Sequence, residues 1–338
     1  MDIDSQTAPS AWAPFRLTPW FAERVWGFRD LHPWYDWVAG DDKPIGEAWL
    51  TGDQCVVATG VRAGKTLGAL FSEAPEFLLG KTAPCSAEAA VRCTSPLLIK
   101  VLFVKEKLSV QVHPDDALAQ KFGEPCGKTE CWYVLEAEPG AQVACGLKPG
   151  ITLDDVKAGI ETGTLESRLN MLNVASGEVI FIDAGTVHAI WPGSILLETQ
   201  QNCDLTYRMY DYGRGRELHI EKALQATRLK TRSGKIPPRT LDERTILMEG
   251  YYFSVERIPV SGSRTSASLR GEAELASGLQ YLFVAGGAAR ITGPGLEPLE
   301  LPMGGIAAVP AASPQFEVED SGGLNLIRIT PRWPGTQR

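Results

Sequence analysis

SGEVIFIDAGTVHAI, residues 176–190, is an apolar strand that runs into a tight Asp-Ala-Gly turn and puts His188 directly after it. The histidine is thus delivered by a turn at a strand end and not by a helix face. Runs of the same kind recur along the chain, alternating or apolar and punctuated by Gly and Pro. They are PLLIKVLFV (96–104), KLSVQV (107–112), CWYVLEA (131–137), SILLETQ (194–200), YYFSVERI (251–258), LQYLFVAGGAARI (279–291) and LNLIRIT (324–330). Their lengths and bounding residues are those of strands. Helical spacing is confined to LGALFSEAPEFLLG (67–80), PDDALAQKFG (114–123), and the pair LDDVKAGIETG (153–163) and LESRLNML (165–172). The patterning predicts a mainly β protein with accessory helices. A basic, Pro-containing stretch, LKTRSGKIPPRTLDE (229–243), reads as an exposed connection between a first domain over 1–230 and a second over 245–338.

Composition narrows the function classes. The 338 residues, 44% hydrophobic and 22% charged, suffice for one large or two ordinary cores. The opening MDIDSQTAPSAWAPF has no apolar signal core, and nowhere do 18 consecutive apolar residues occur, so a cytoplasmic protein with no membrane partner is expected. Seven cysteines without a C-x-x-C pair suit a reducing compartment better than a disulfide framework. A formal net charge of -8 argues against a general nucleic-acid binder. It leaves room for a local basic pocket around a small anion, with Lys128, Arg208, Arg214 and Arg216 as candidates.

Three segments carry the chemistry. In LSVQVHPDD (108–116) a strand puts Ser109, Gln111 and His113 on one face and Leu108, Val110 and Val112 on the other, until Pro114 ends it. GKTECWYVLEA (127–137) opens with Lys128 and Glu130 two residues apart, hence on one face, while Cys131 faces away. His188 is the third contribution. Two imidazoles and a carboxylate suit a divalent metal, and His113, Glu130 and His188 are the candidate ligands. Gln111 is a candidate fourth ligand through its amide oxygen, or a group that holds a water or substrate beside the metal.

Taken in order, QVHPDD (111–116), GKTECW (127–132), AGTVHAI (184–190) and ETQQNCDLTYRMYDYGR (198–214) resemble the type I mannose-6-phosphate isomerases, specifically their shorter bacterial members. PFRLTPWFAERVWG (14–27) and PIGEAWL (44–50) extend the resemblance. The cupin pattern G-x5-P-x-G-x2-H is matched by Gly177, Gly185 and His188, with Asp183 at the Pro position. The resemblance implies two cupin-like jelly-roll β-barrel domains, one zinc ion per chain, and interconversion of mannose 6-phosphate and fructose 6-phosphate through an enediol. It implies that Arg208 is the family's active-site arginine, clamping anionic oxygen of the enediolate or the phosphate. Lys128 is a candidate for proton transfer or phosphate binding, with a pKa expected to be depressed by zinc and Arg208. Ser109 is a candidate donor to the phosphate, and Asp204 a partner of Arg208 or of the migrating proton. A monomer or homodimer is expected.

The second half carries what reads as a decayed copy of the motif. In PMGGIAAVPAASPQF (302–316) Gly304 and Pro310 keep their spacing, but Ala312 replaces the glycine and Gln315 the histidine. No histidine follows His219, so this domain has no histidine-based metal centre and is expected to cover the first barrel or serve an interface. Two other functions fit the residues: a cupin dioxygenase, which needs a largely apolar pocket, and a sugar-phosphate sensor without turnover. GVRAGKT (60–66) lacks the first glycine of a P-loop, and His32 among the aromatics of LHPWYDW (31–37) reads as packing.

Overall fold

The computed structural model describes residues 9–38, 43–80, 94–265 and 278–332. Their strands form four sheets that sort into two compact units, each with one larger and one smaller sheet, the mainly β double jelly-roll expected of a cupin chain. Among the described residues no helix is long and apolar enough to cross a membrane.

The unit made of residues 21–48 and 98–237 holds the candidate site. Its seven-stranded sheet runs Gly234–Ile236, Val179–Ile182, Glu130–Ala137, Ser194–Gln201, Leu97–Val104, Ile45–Trp49 and Trp20–Phe28. The five-stranded sheet runs Tyr207–Tyr210, Val110–Val112, His188–Ile190, Gln142–Leu147 and Leu169–Asn173. Trp26, Leu102, Trp132, Val134, Val143, Ile180 and Leu196 form one apolar cluster. A second cluster joins Val110, Val112, Ala144 and Tyr207 to Val156 and Ile160 of helix Leu153–Glu161 and Ala223 of helix Ile220–Ala226. The period-two pattern of 108–113 explains this: the valines go under the helices, leaving Ser109, Gln111 and His113 for the opposite face. A one-residue slip would reverse both sets, at about 1.5–3 kcal/mol for each apolar side chain displaced.

Several local expectations change. LESRLNML is not a helix: it opens as a 3-10 turn, Leu165–Arg168, and continues as strand Leu169–Asn173 paired with Gln142–Leu147. Ladder pairing here overrides a leucine spacing too short to nucleate a helix alone. The stretch 229–243 is exposed or half-buried throughout, as expected, and the division between the units falls within it at Pro237 and Pro238, but it carries strands of its own. Gly234–Ile236 adds an edge strand to Val179–Ile182, and Arg239–Leu241 pairs with Arg244–Glu249. His32 is half exposed between Asp30 and Asp36, with Nδ1 and Nε2 at 2.6 and 3.1 Å from their carboxylates, so it is solvated rather than packed.

The other unit joins residues 238–338 to 1–20 and 49–97, so the division is not sequential as the sequence suggests. The cause is pairing: Phe15–Thr18 forms ladders with Ile306–Val309 and with Val56–Val57. The strand order of the first unit repeats here. Val179–Ile182, Glu130–Ala137, Ser194–Gln201 and Leu97–Val104 follow one another as Ile306–Val309, Gln280–Gly286, Asn325–Pro331 and Phe253–Ile258 do. The decayed motif therefore lies on a strand topologically equivalent to the one that leads to His188.

Candidate metal centre and cleft

His113 follows the strand end at Val112, held against the Asp183–Gly185 turn by a hydrogen bond from Gly185 N to His113 O at 2.8 Å. Gly185 has φ +88, and a Cβ there would meet the Arg228 side chain at 2.7 Å. Only glycine serves at this corner. Three residues on, His188 pairs across the ladder with Gln111, while Glu130 opens its strand opposite Gln200 and Ile182. Two sheets thus aim three side chains at one point.

The three are fully buried, and their ligating atoms lie within 4.8 Å of one another. His113 Nε2 is 3.6 Å from Glu130 Oε2, and His188 Nε2 is 3.5 Å from Glu130 Oε1. Around a tetrahedral zinc with bonds of about 2.0–2.1 Å, neighbouring donors stand about 3.3 Å apart. Both oxygens of Glu130 are buried and face the imidazoles, and Oε2 also meets the Lys128 ammonium at 2.8 Å, so the point where these groups converge favours positive charge. Both imidazoles are neutral near pH 7: burial pushes His113 well below its ordinary range and His188 down to about 4. His188 Nδ1 lies 2.8 Å from the Thr186 carbonyl, which fixes the proton there and frees Nε2. The donor set fits a divalent metal.

Gln111 stands beside this cluster, its amide nitrogen 3.2 Å from His188 Nε2 and its oxygen accepting from Ser109 Oγ at 3.2 Å. Turning the amide over would present oxygen to the same point. Lys128 Nζ lies 2.8 Å from Glu130 Oε2 and 3.1 Å from His113 Nε2, meeting donor atoms that a dication would take. Burial opposes its charge, but the carboxylates of Glu130 and Glu198 prevail and hold it above the ordinary lysine range.

The cleft above has a volume of about 540 Å³, and Ser109, Gln111, Lys128, Asp204, Arg208 and Arg216 all line it. Arg214 does not. It bonds to the Lys107 carbonyl at 2.7 Å and faces Tyr212. Arg208 donates from Nη1 to the Glu217 carbonyl at 2.9 Å and keeps a buried Nε without a hydrogen-bond partner.

Sequence reasoning missed a charged network on the cleft wall. Lys100 is 2% exposed, with Nζ 3.0 Å from Asp204 Oδ1, 3.6 Å from Glu47 Oε2 and 3.7 Å from Glu198 Oε2. Its desolvation is overcome by Glu47, Asp204 and Glu198, which raise its pKa. Arg24 grips Glu47 with Nε and Nη2 at 3.1 and 3.0 Å, and Trp132 Nε1 donates to Glu198 Oε1 at 3.1 Å. Burial and the nearby Glu130 carboxylate hold Glu198 above the usual carboxyl range. A visible signal existed: a lone lysine in PLLIKVLFV and a lone glutamate in SILLETQ interrupt apolar strands, and a buried charge needs a partner.

Residues 15–140 match the family described as phosphomannose isomerase type I, catalytic domain. The chain is 33% identical over 299 residues to mannose-6-phosphate isomerase ManA of Bacillus subtilis, covering 80% of this chain and 89% of that protein. Against mannose-6-phosphate isomerase of Streptococcus mutans it is 33% identical over 263 residues, 74% of this chain and 80% of that one. The crystal structure of mannose 6-phosphate isomerase from Bacillus subtilis superposes with a TM-score of 0.80 at 30% identity, covering 94% of this chain and 99% of that one. A variant of phosphomannose isomerase from Salmonella typhimurium, at 16% identity and TM-score 0.74 over 95% of this chain and 100% of its own, shares the fold.

Proposed function

We propose a division of labour among these side chains from one premise: the chain belongs to the type I phosphomannose isomerases and interconverts D-mannose 6-phosphate and D-fructose 6-phosphate. The reaction moves a proton between C2 and C1 through an enediol. A general base contributes roughly 10²–10⁴-fold, whereas enzymes lower barriers by about 8 kcal/mol or more, so the developing negative charge must also be stabilised. The observation that carries the reading is the buried convergence of His113 and His188 Nε2 on opposite oxygens of Glu130, at 3.6 and 3.5 Å.

A divalent ion held by His113, Glu130 and His188, with Gln111 as fourth donor, supplies a Lewis acid or template for the sugar oxygens. Two imidazoles and a carboxylate suit zinc, one ion per chain. Lys100, ringed by Glu47, Asp204 and Glu198, stays protonated and offers fixed positive charge to the enediolate oxygen, and Lys128 lines the same cleft for proton transfer or phosphate binding. Proton movement falls to the carboxyls around Lys100. Glu198 is the one disposed to hold a proton, and Asp204 Oδ1, bonded to Lys100 Nζ at 3.0 Å, is the one poised to accept. Arg208 and Arg216 take the phosphate from the cleft rim, with Ser109 donating beside them. This charged lining argues against an oxygen-activating cupin, which needs an apolar pocket. Cysteine usage supports a cytoplasmic setting.

The test is conversion of mannose 6-phosphate by the purified protein before chelation, after it, and with zinc restored. Turnover should vanish with the chelator and return at one zinc per chain. Full turnover after complete metal removal would reject the assignment.

A further inference from the structure

Cys126 and Cys203 lie outside the ligand set, yet they flank the two paired strands that carry Glu130 and Glu198. Cys126 precedes Glu130–Ala137, and Cys203 follows Ser194–Gln201. These strands pair with Gln200 opposite Glu130, and the ladder closes with Gln201 N bonded to Thr129 O at 3.2 Å. Beyond that bond the chain folds back tightly: Cys203 N donates to Gln201 O at 2.7 Å, and Gln200 Nε2 to Cys203 O at 2.6 Å. The turn brings Cys126 Sγ to 3.7 Å from the carbonyl of Asn202, the residue directly before Cys203.

This pair differs from the other described thiols. Cys55, Cys131 and Cys145 are buried, and burial pushes Cys55 and Cys145 up to about 12 and Cys131 higher still, so they are inert as nucleophiles. The hydrogen bond from Cys126, with a backbone bond at Leu205 and the charge of Lys128, brings Cys203 down to about 7 despite burial. Cys126 is partly exposed and opens the pair to small oxidants.

We propose that Cys126 and Cys203 form a reversible redox-modification site beside the catalytic cleft, closed to a disulfide by hydrogen peroxide and inactive in that form. The Cys203 thiolate attacks one peroxide oxygen, forming a sulfenic acid as the O–O bond breaks and hydroxide leaves to take up a proton. The Cys126 thiol then attacks that sulfur, forming the S–S bond and releasing water. Two thiols lose two electrons and two protons, and the peroxide becomes two waters. Closure sets the sulfurs about 2.05 Å apart and shifts both segments. Lys128 stands two residues from Cys126, and Asp204, the partner of Lys100, directly follows Cys203, so the strain falls on two residues that line the cleft. A displacement of about 1 Å there costs on the order of 10²-fold in rate.

The metal-loaded enzyme is treated with hydrogen peroxide, mapped by peptide mass spectrometry and assayed before and after dithiothreitol. Only the activity readout rests on the isomerase reading; the cross-link is read independently. The expected result is a Cys126–Cys203 peptide lighter by two hydrogens, a loss of activity of about tenfold or more, and recovery with the reductant. Cys203→Ser should resist the same dose, and Cys126→Ser should pass to oxidised forms that the reductant does not rescue. Absence of the cross-linked peptide, its formation without loss of turnover, or equal inactivation of wild type and Cys203→Ser would each overturn the proposal.

Discussion

At Glu130 a carboxylate sits in the protein interior between two neutral imidazoles, with the Lys128 ammonium 2.8 Å from Oε2. Such a group is tolerable only against a cation. Glu130→Gln keeps the shape and removes the charge, so bound zinc should fall well below one per chain by elemental analysis. Loss of a group that only orients a metal ligand costs about 10–100-fold, so turnover should fall by at least about 10²-fold. The imidazoles set a pH dependence of their own. His188 titrates near 6.5 when unfolded but near 4 when folded, so as pH falls through that window only the unfolded chain takes up the proton. Stability is therefore intact above about 6.5 and declines toward 4, with His113 acting in the same direction. For metal-stripped protein, denaturant midpoints should show a loss of about 2 kcal/mol from His188 alone between pH 7 and pH 5. An unchanged midpoint would mean that the site does not exclude the proton.

Among the elements, the Asp183–Gly185 turn links sequence pattern to geometry most directly, because one corner both turns the chain and bonds to the His113 carbonyl. Gly185→Ala forces a side chain into a left-handed conformation against Arg228, at a cost of about 1–3 kcal/mol. The substitution should also weaken zinc binding by tilting His188, which competition with a chromophoric chelator measures. A normal zinc affinity in a destabilised variant would separate the turn from the metal. The turn was legible in the sequence because its glycine, strand and histidine are consecutive. So was the polar face Ser109, Gln111 and His113, since period-two alternation needs no tertiary information. Lys100, Glu47 and Glu198 were not singled out, because their meeting depends on the strand order of the larger sheet, which joins segments far apart in the chain. The misread helix at 165–172 has the same origin, a local spacing overruled by a ladder partner.

Across the whole chain, two units share a strand order but differ in what their corresponding positions carry. In one, Trp132 faces Glu198 across the ladder and Glu198 pairs in charge with Lys100. In the other, Leu282 faces Arg328, and Arg328 pairs with Glu256, with Nε at 2.7 Å from the carboxylate. The polarity of the buried pair is reversed, and the position equivalent to Glu130 is Gln280. The histidine count announced the loss of metal chemistry in the second unit, whereas the reversed ion pair is visible only once the strands are ordered. Arg328 and Glu256 are each 1% exposed, with Arg244 Nε 3.4 Å from the other oxygen, so this charge cluster is structural capital of the second unit alone. Glu256→Gln leaves two guanidinium groups without a counter-charge and should destabilise the protein by about 3–5 kcal/mol in denaturant titrations. Because every residue lining the cleft belongs to the other unit, the folded variant should bind one zinc per chain and keep its KM for mannose 6-phosphate. A changed KM at full zinc occupancy would show instead that the second unit tunes the chemistry and does more than persist as a folded copy.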